Sequence, residues 1–361
     1  MTILKSRIIE KIRQSGGKIS FSEYMQMALY DPKLGYYTGH HHQLGRQGDF
    51  ITAPELSDLF GKCIVKSLQA VLLSLKNPMV VEFGAGTGKL ANVILEQCES
   101  IENYWIIEIS PALRKLQQIT LEKYLSKITW LEKLPEEKFE GIILANEVMD
   151  AFAVTKFSMD SRFRGNDGGV IQEYYVAEKN DCLEWHLDIP SHQDIINFVG
   201  NLELTSPYSS EINFAIKPWI KSLSANLTSG IILLFDYGFP RHEFYHPDRA
   251  EGTLMCHYQH RLNSDPFYMP GLQDITAHVD FTFVAESAVE SDLEVRGYTS
   301  QAAFLLESGI LDFAQSHEDK NAIKMLTLPS EMGELFKVML LSKNNDVPVL
   351  GFALHDRRNR L

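Results

Sequence analysis

The stretch Met79-Val80-Val81-Glu82-Phe83-Gly84-Ala85-Gly86-Thr87-Gly88-Lys89-Leu90 constrains the chain more than any other. Met79 to Phe83 reads as a buried strand. It runs straight into three glycines at alternate positions, and a helix-prone run, Lys89 to Gln97, follows at once. A turn this sharp leaves little room for side chains, and without Cβ atoms the backbone can lie against a ligand. The helix N-terminus then directs free N–H groups and the positive end of its dipole at the same place. A strand, glycine turn and helix in this order predict a doubly wound, mostly parallel α/β sheet. Glycine turns are common, so the turn alone does not name the ligand.

The next strand narrows the choice. Asn103-Tyr104-Trp105-Ile106-Ile107-Glu108 is an apolar run ending in a carboxylate, twenty residues beyond Gly88. An acid at the tip of the second strand accepts hydrogen bonds from both hydroxyls of a ribose. That suits a dinucleotide or S-adenosyl-L-methionine. Dinucleotide turns read G-x-G-x-x-G, with the last glycine allowing close helix packing. Here the spacing is G-x-G-x-G, preceded by Glu82 inside the strand, and it resembles motif I of the class I S-adenosylmethionine-dependent methyltransferases. Glu82, Gly84, Gly86, Gly88 and Glu108 are therefore the expected cofactor residues.

Bulk properties set the frame. A chain of 361 residues holds one large domain with an insertion, or two domains. The net charge of −13 argues against general affinity for nucleic acid, which needs clustered Lys and Arg, and favours a basic partner. Cys63, Cys98, Cys182 and Cys256 form no C-x-x-C pair, which predicts free thiols in a reducing compartment. No apolar run reaches the length of a membrane span. The first residues carry Lys5, Arg7, Glu10 and Lys11 and lack a signal peptide's apolar core, so the expected location is the cytoplasm. Oligomeric state is left open.

Along the chain, Ile3, Leu4, Ile8, Ile9 and Ile12 recur at helical spacing, predicting an amphipathic helix over 2–14 that docks on its own domain. A second helix begins at Ser20 or Ser22 and stops at Asp31-Pro32. His40-His41-His42 reads as a solvated loop, since adjacent residues do not easily face one metal ion. Gly48-Asp49-Phe50-Ile51-Thr52-Ala53-Pro54-Glu55 reads as a wall or lid of a site, with Thr52 among the cofactor residues; the plainer alternative is a helix entry capped by Thr52. Gly141 to Ala145 is a strand that ends in Asn146-Glu147-Val148-Met149-Asp150-Ala151-Phe152. Ligands of doubly wound sheets sit beyond strand carboxyl ends, which puts Asn146 with the cofactor and Glu147 and Asp150 where an acceptor would meet it. Val154–Phe157 and Val170–Ala177 read as paired strands, and the turn-rich residues 158–169 between them as a mobile, dispensable loop. Ile212 to Ala225 reads as a helix disturbed by Pro218, Gly230 to Gly238 as a strand, Phe281 to Ala285 as a strand, Thr299 to Glu307 as a helix and Phe336 to Leu341 as the last strand. Arg357, Arg358 and Arg360 read as a solvated tail. His242, His246, Cys256, His257 and His260 match no zinc spacing, and no metal is expected.

Several blocks together resemble the MidA family of class I methyltransferases. They are Gly48–Glu55, Glu82–Gly88, Asn146–Phe152, Asp236-Tyr237-Gly238, Gly252-Thr253-Leu254 with Tyr258 and His260, and Asp274–Phe281. The resemblance covers most of the chain in order and departs from it at 158–169. It implies a Rossmann-like core with an N-terminal helical segment and an inserted α+β region. The expected division is 1–75 for the helical segment and site loop, 76–245 for the core with a hairpin insertion near 154–187, 246–330 for an inserted substrate region, and 331–361 for the last strand and tail. It also implies S-adenosyl-L-methionine as donor and, for the family's mitochondrial complex I assembly member, a protein arginine as acceptor. Paired carboxylates are the natural clamp for a guanidinium. Glu147 and Asp150 fit that role, with His260 or His278 to relay the proton. A small-molecule or RNA methyltransferase on the same core, and a donor-binding assembly factor without turnover, are the competing readings.

Overall fold

The apolar runs pair side by side. In a computed structural model, which describes residues 2–39, 52–160, 170–205, 207–259 and 261–361, two units are distinguished by their contacts.

The larger unit comprises Gln43–Met149, Ile216–Pro240 and Asp280–Leu361. Its sheet runs in the order Glu294–Ser300, Phe336–Lys343, Leu227–Phe239, Phe139–Asn146, Met79–Phe83, Asn103–Ile107 and Ile128–Leu131. Neighbours are parallel except around Phe336–Lys343, which runs antiparallel to both of its neighbours. The central strands are apolar along their length rather than alternating, because both faces are covered: Val80, Val81, Ile142, Ile143 and Ile231 to Phe235 are all buried. The helices Asp58–Ser74 and Lys89–Gln97 supply Phe60, Ile64, Leu68, Leu90 and Ile94 to one core cluster. The helices Ile216–Asn226 and Phe281–Val289 pack on each other and on the strand Leu227–Phe239.

Connectivity places the ligand crevice. From Met79–Phe83 the chain moves outward through Asn103–Ile107 to Ile128–Leu131, then returns to the opposite side of Met79–Phe83 as Phe139–Asn146. Phe83 lies opposite Ala145. Such a reversal opens a crevice at the carboxyl ends of the two strands.

The second unit comprises Met1–His42, Asp150–Ala215 and Arg241–Val279. An antiparallel sheet joins Lys18–Ser20, Val170–Lys179, Thr155–Asp160 and Tyr208–Ile212, with Cys182–Asp188 beside Val170–Lys179. The helix Ile3–Gln14, capped by Thr2, buries Leu4, Ile8, Ile9 and Ile12, and three of these join Phe21, Tyr24 and Val176 in the unit's core. Ser20 caps the helix Phe21–Tyr30. Within this unit the Lys156 ammonium lies 2.6 Å from the Glu211 carboxylate, whose other oxygen accepts the Thr253 N–H at 2.8 Å. Gly252 has φ +87°, and a Cβ there would meet a Glu211 oxygen at 2.4 Å. The Gly252-Thr253 pair is thus set by the buried carboxylate behind it.

Several expectations change. Phe281 to Ala285 begins the helix Phe281–Val289 rather than a strand: the Asp280 carboxylate accepts the N–H groups of Thr282 and Phe283, and this cap overrides the strand preference of an aromatic, β-branched run. The strand expected there is Glu294–Ser300 instead. Ile212 ends a strand, and the helix starts at Ile216 with Pro218 in its first turn, where a missing N–H costs nothing. Residues 158–160 complete a strand paired with 170–172, while 161–169 lie outside the described residues, as do His40 to His42. Arg357 pairs with Glu334 and Arg358 with Asp356, so the tail is tied down. The two units draw on discontinuous stretches, because strand pairing rather than chain order groups them, and they differ from the expected four consecutive segments. All four cysteines are free.

The buried pair offers a test. Lys156→Met should leave Glu211 charged and buried, lowering unfolding free energy by about 3–5 kcal/mol. Urea unfolding of the purified variant checks it, and a loss below about 1 kcal/mol would mean that solvent reaches the pair.

Candidate active site

The glycine turn has the backbone its residues allow. Gly84, Gly86 and Gly88 take φ of 60°, 55° and 87°, where a side chain would be strained. Gly88 precedes the helix Lys89–Gln97. Thr52 occupies the N-cap of the short turn Ala53–Leu56 without a side-chain capping bond. Glu55 from that turn accepts a hydrogen bond from the Thr87 hydroxyl and lies 3.0 Å from the Lys89 ammonium. The turn Ala53–Leu56 is thereby fastened to the glycine turn.

Glu108 follows the strand Asn103–Ile107 and is 4% exposed. Its Oε1 accepts the Ser110 N–H at 2.8 Å and its Oε2 accepts the Gln117 amide at 3.0 Å. Burial pushes its carboxyl above the usual carboxylate range, and these donors pull it back. Each carboxylate oxygen has a second lone pair, so two further donors such as ribose hydroxyls can be accepted. Glu82, 3% exposed, accepts the Tyr104 hydroxyl from the neighbouring strand at 2.7 Å. Burial raises its carboxyl to about 7, with the Tyr104 hydrogen bond opposing the rise and the Glu108 charge adding to it.

Across the crevice the strand Phe139–Asn146 ends in Asn146 and Glu147. The Asn146 amide donates to the Glu147 carboxylate at 3.1 Å. The Asn146 Oδ1 is buried without a hydrogen-bond partner among the described residues, which leaves an acceptor for a bound donor group. Glu147 takes φ +54°, a left-handed conformation costly for a residue with a side chain. Its N–H donates to the Phe235 carbonyl at 2.9 Å. The Asp236 carboxylate accepts the N–H groups of Val148 at 3.3 Å and Met149 at 2.9 Å, and so holds the turn that presents Glu147. Gln117 and Asp236 are not among the expected site residues, and Glu55 is expected only as part of the Gly48–Glu55 wall or lid. A glutamine four residues after Leu113 on a buried helix face was the available signal for Gln117. Asp236 stood inside a noted block without an assigned role.

Asp150 belongs to the second unit, where it is buried and its carbonyl accepts the Ala277 N–H at 3.0 Å. Nearby, the Tyr37 hydroxyl donates to Asp274 at 2.8 Å. Burial, followed by the carboxylates of Asp274 and Asp150, holds that phenol well above its usual range. The His278 N–H donates to the Thr253 hydroxyl at 3.1 Å. His260 lies outside the described residues.

A family model described as S-adenosyl-L-methionine-dependent methyltransferase matches residues 59–299. The chain belongs to the MidA family of class I methyltransferases. A crystal structure from Burkholderia thailandensis with S-adenosyl-homocysteine bound is 36% identical, covers 99% of this chain and 96% of its own, and superposes with a TM-score of 0.93. The mouse protein named "Protein arginine methyltransferase NDUFAF7, mitochondrial" is 28% identical across 94% of this chain and 84% of its own length. The Drosophila melanogaster homologue with the corresponding name is 27% identical across 94% and 86%. This member of the family is an S-adenosylmethionine-dependent methyltransferase on a Rossmann-like core. The curated relatives are mitochondrial proteins by name, and that overturns the cytoplasmic location expected from the N-terminal residues.

Glu82 gives this core a pH signature. Its carboxyl titrates near 4.5 when unfolded and about 7 when folded. The folded state therefore holds the proton more tightly. Its contribution to stability is full below about pH 4.5 and is lost as pH rises to about 7, a change of up to about 3 kcal/mol. Urea unfolding at pH 5 and pH 8 should show a larger loss for the wild type than for Glu82→Gln, and parallel losses would show that Glu82 is ionised throughout.

Proposed function

We propose that this methyltransferase modifies an arginine of a client protein, with a respiratory complex I subunit as the acceptor to test first. The observation that carries the reading is Glu147, a carboxylate on a left-handed backbone at the carboxyl end of a central strand. Backbone strain of this kind persists where surrounding structure over-determines it, and it clusters at active sites. The naming of the mitochondrial relatives as protein arginine methyltransferases supports the same acceptor.

In this reading Glu82, Gly84, Gly86, Gly88, Glu108, Asn146 and Thr52 hold the donor, with Glu108 on the ribose hydroxyls. Bound S-adenosyl-L-methionine supplies a methyl group already activated on a sulfonium. The protein's part is alignment and exclusion of water. A guanidinium acceptor must be held flat, which Glu147 does through charge-assisted hydrogen bonds, with Asp150 as the second carboxylate. The acceptor sheds a proton as it reacts, and His260 or His278 receives it. A net charge of −13 suits a cationic acceptor segment.

Two substitutions separate function from fold. Glu147→Gln keeps the shape and removes the charge. A charge-assisted contact is worth roughly 1.5–3 kcal/mol, so transfer of labelled methyl to a purified client should fall about tenfold to a hundredfold with donor affinity unchanged. Glu147→Gly relieves the left-handed strain and should leave the melting temperature unchanged or raised while transfer is lost. Full transfer in Glu147→Gln would remove the clamp. Lost donor affinity would move Glu147 to the donor's side of the site.

A further inference from the structure

Gln117 stands in the helix Pro111–Thr120 with no exposed surface. A buried amide needs all its polar atoms answered, and the answers here are specific. The side-chain nitrogen donates to the Gly86 carbonyl at 2.9 Å and to the Glu108 Oε2 at 3.0 Å. The side-chain oxygen accepts the Trp130 indole N–H at 2.9 Å. The reverse orientation of the amide would set its oxygen against a carboxylate and its NH₂ against the indole N–H, so Trp130 fixes which way Gln117 points. One side chain therefore ties together the middle glycine of the turn, the acid at the tip of the second strand and the third strand, Ile128–Leu131.

We propose that Gln117 is a positioning residue that sets the ribose specificity of the donor site. The assignment rests on the reading that Glu108 binds the ribose hydroxyls. By occupying one lone pair of Oε2 while the Ser110 N–H occupies one of Oε1, Gln117 fixes the rotation of the carboxylate. The remaining lone pairs then point in fixed directions. Its second bond holds the glycine turn at a fixed separation from that carboxylate. Without Gln117, Glu108 keeps its Ser110 bond but loses the contact that fixes the rotation of its carboxylate. The cost should fall on recognition of the hydroxyls rather than on the fold or on methyl transfer.

The test measures dissociation constants for S-adenosyl-homocysteine and its 2′-deoxyribose analogue by calorimetry. The wild type should prefer the ribose ligand by about tenfold or more, the value of one hydroxyl–carboxylate contact. Gln117→Met, similar in length and without the amide, should weaken S-adenosyl-homocysteine about tenfold, weaken the deoxy analogue, which keeps only the 3′-hydroxyl, by a smaller factor, and bring the ratio toward one. Trp130→Phe removes the indole N–H that orients the amide, together with part of the ring. It should shift the ratio the same way by a smaller factor, and it serves if Gln117→Met does not fold. In turnover, KM for the donor should rise while kcat at saturating donor holds. If both variants weaken the two ligands equally, the role is structural and the proposal fails. If both bind both ligands as the wild type does, Gln117 positions nothing. A wild type that binds S-adenosyl-homocysteine tightly but ignores the 2′-hydroxyl would instead remove Glu108 from the ribose and the proposal with it.

Discussion

Parallel pairing of Met79–Phe83 with Phe139–Asn146 is the contact from which the rest of the site follows. Phe83 stands beside Ala145, so the glycine turn and the Asn146–Met149 turn leave the sheet at the same level. Each strand is apolar on both faces, which fixes it in the middle of the sheet and gives it no alternative at an edge. A slip of one residue would turn the side chain of Glu82 to the opposite face. Register is therefore what aims the Glu82 carboxylate.

Those carboxylates are expensive in a dry core, and the fold answers each in a different way. Glu82 meets only a phenol hydroxyl in the hydrogen bonds described for it, and burial lifts its carboxyl to about 7. Glu108 has a backbone N–H and an amide, and these donors oppose the rise that burial causes. Asp236 accepts backbone N–H groups from Val148, Met149 and Tyr237. Fixed donors favour the charged form of a buried acid, whereas burial with a single neutral partner favours the protonated one. The residue expected to hold a ribose and the one that braces the Glu147 turn are the better supplied.

The core was legible because its signals are local. A strand, a glycine turn and a helix within nineteen residues, Met79 to Gln97, declare themselves without reference to the rest of the chain, and an acid at the next strand's end follows by spacing. What escaped reading depends on partners distant in sequence or on one competing side chain. Asp280 turns a strand-like run into a helix by accepting two N–H groups. Glu294–Ser300 is a strand because Phe336–Lys343 pairs with it some forty residues later. Gln117 looks like an ordinary polar helix residue until Gly86, Glu108 and Trp130 surround it. Glu147 was nominated for its charge and place, while its left-handed backbone has no sequence signal, since glycine is the residue that usually marks one.

That backbone ties the candidate chemistry to the scaffold. A left-handed glutamate costs roughly 1–2 kcal/mol relative to an ordinary conformation, so something must hold it. Its own N–H is fixed to Phe235, and the next two N–H groups are fixed to Asp236. Both anchors lie on Leu227–Phe239, the strand on the far side of Phe139–Asn146 from the glycine turn. The glycine turn and the Glu147 turn are thus braced from different elements, one through Gln117 and the other through Phe235 and Asp236. On the proposed reading, removing the Glu147 charge should cost chiefly the acceptor, and loosening the Gln117 network should cost chiefly the donor. On the proposed reading, changes at Glu147 alone would alter the acceptor half while the glycine turn and the Gln117 network stay as they are.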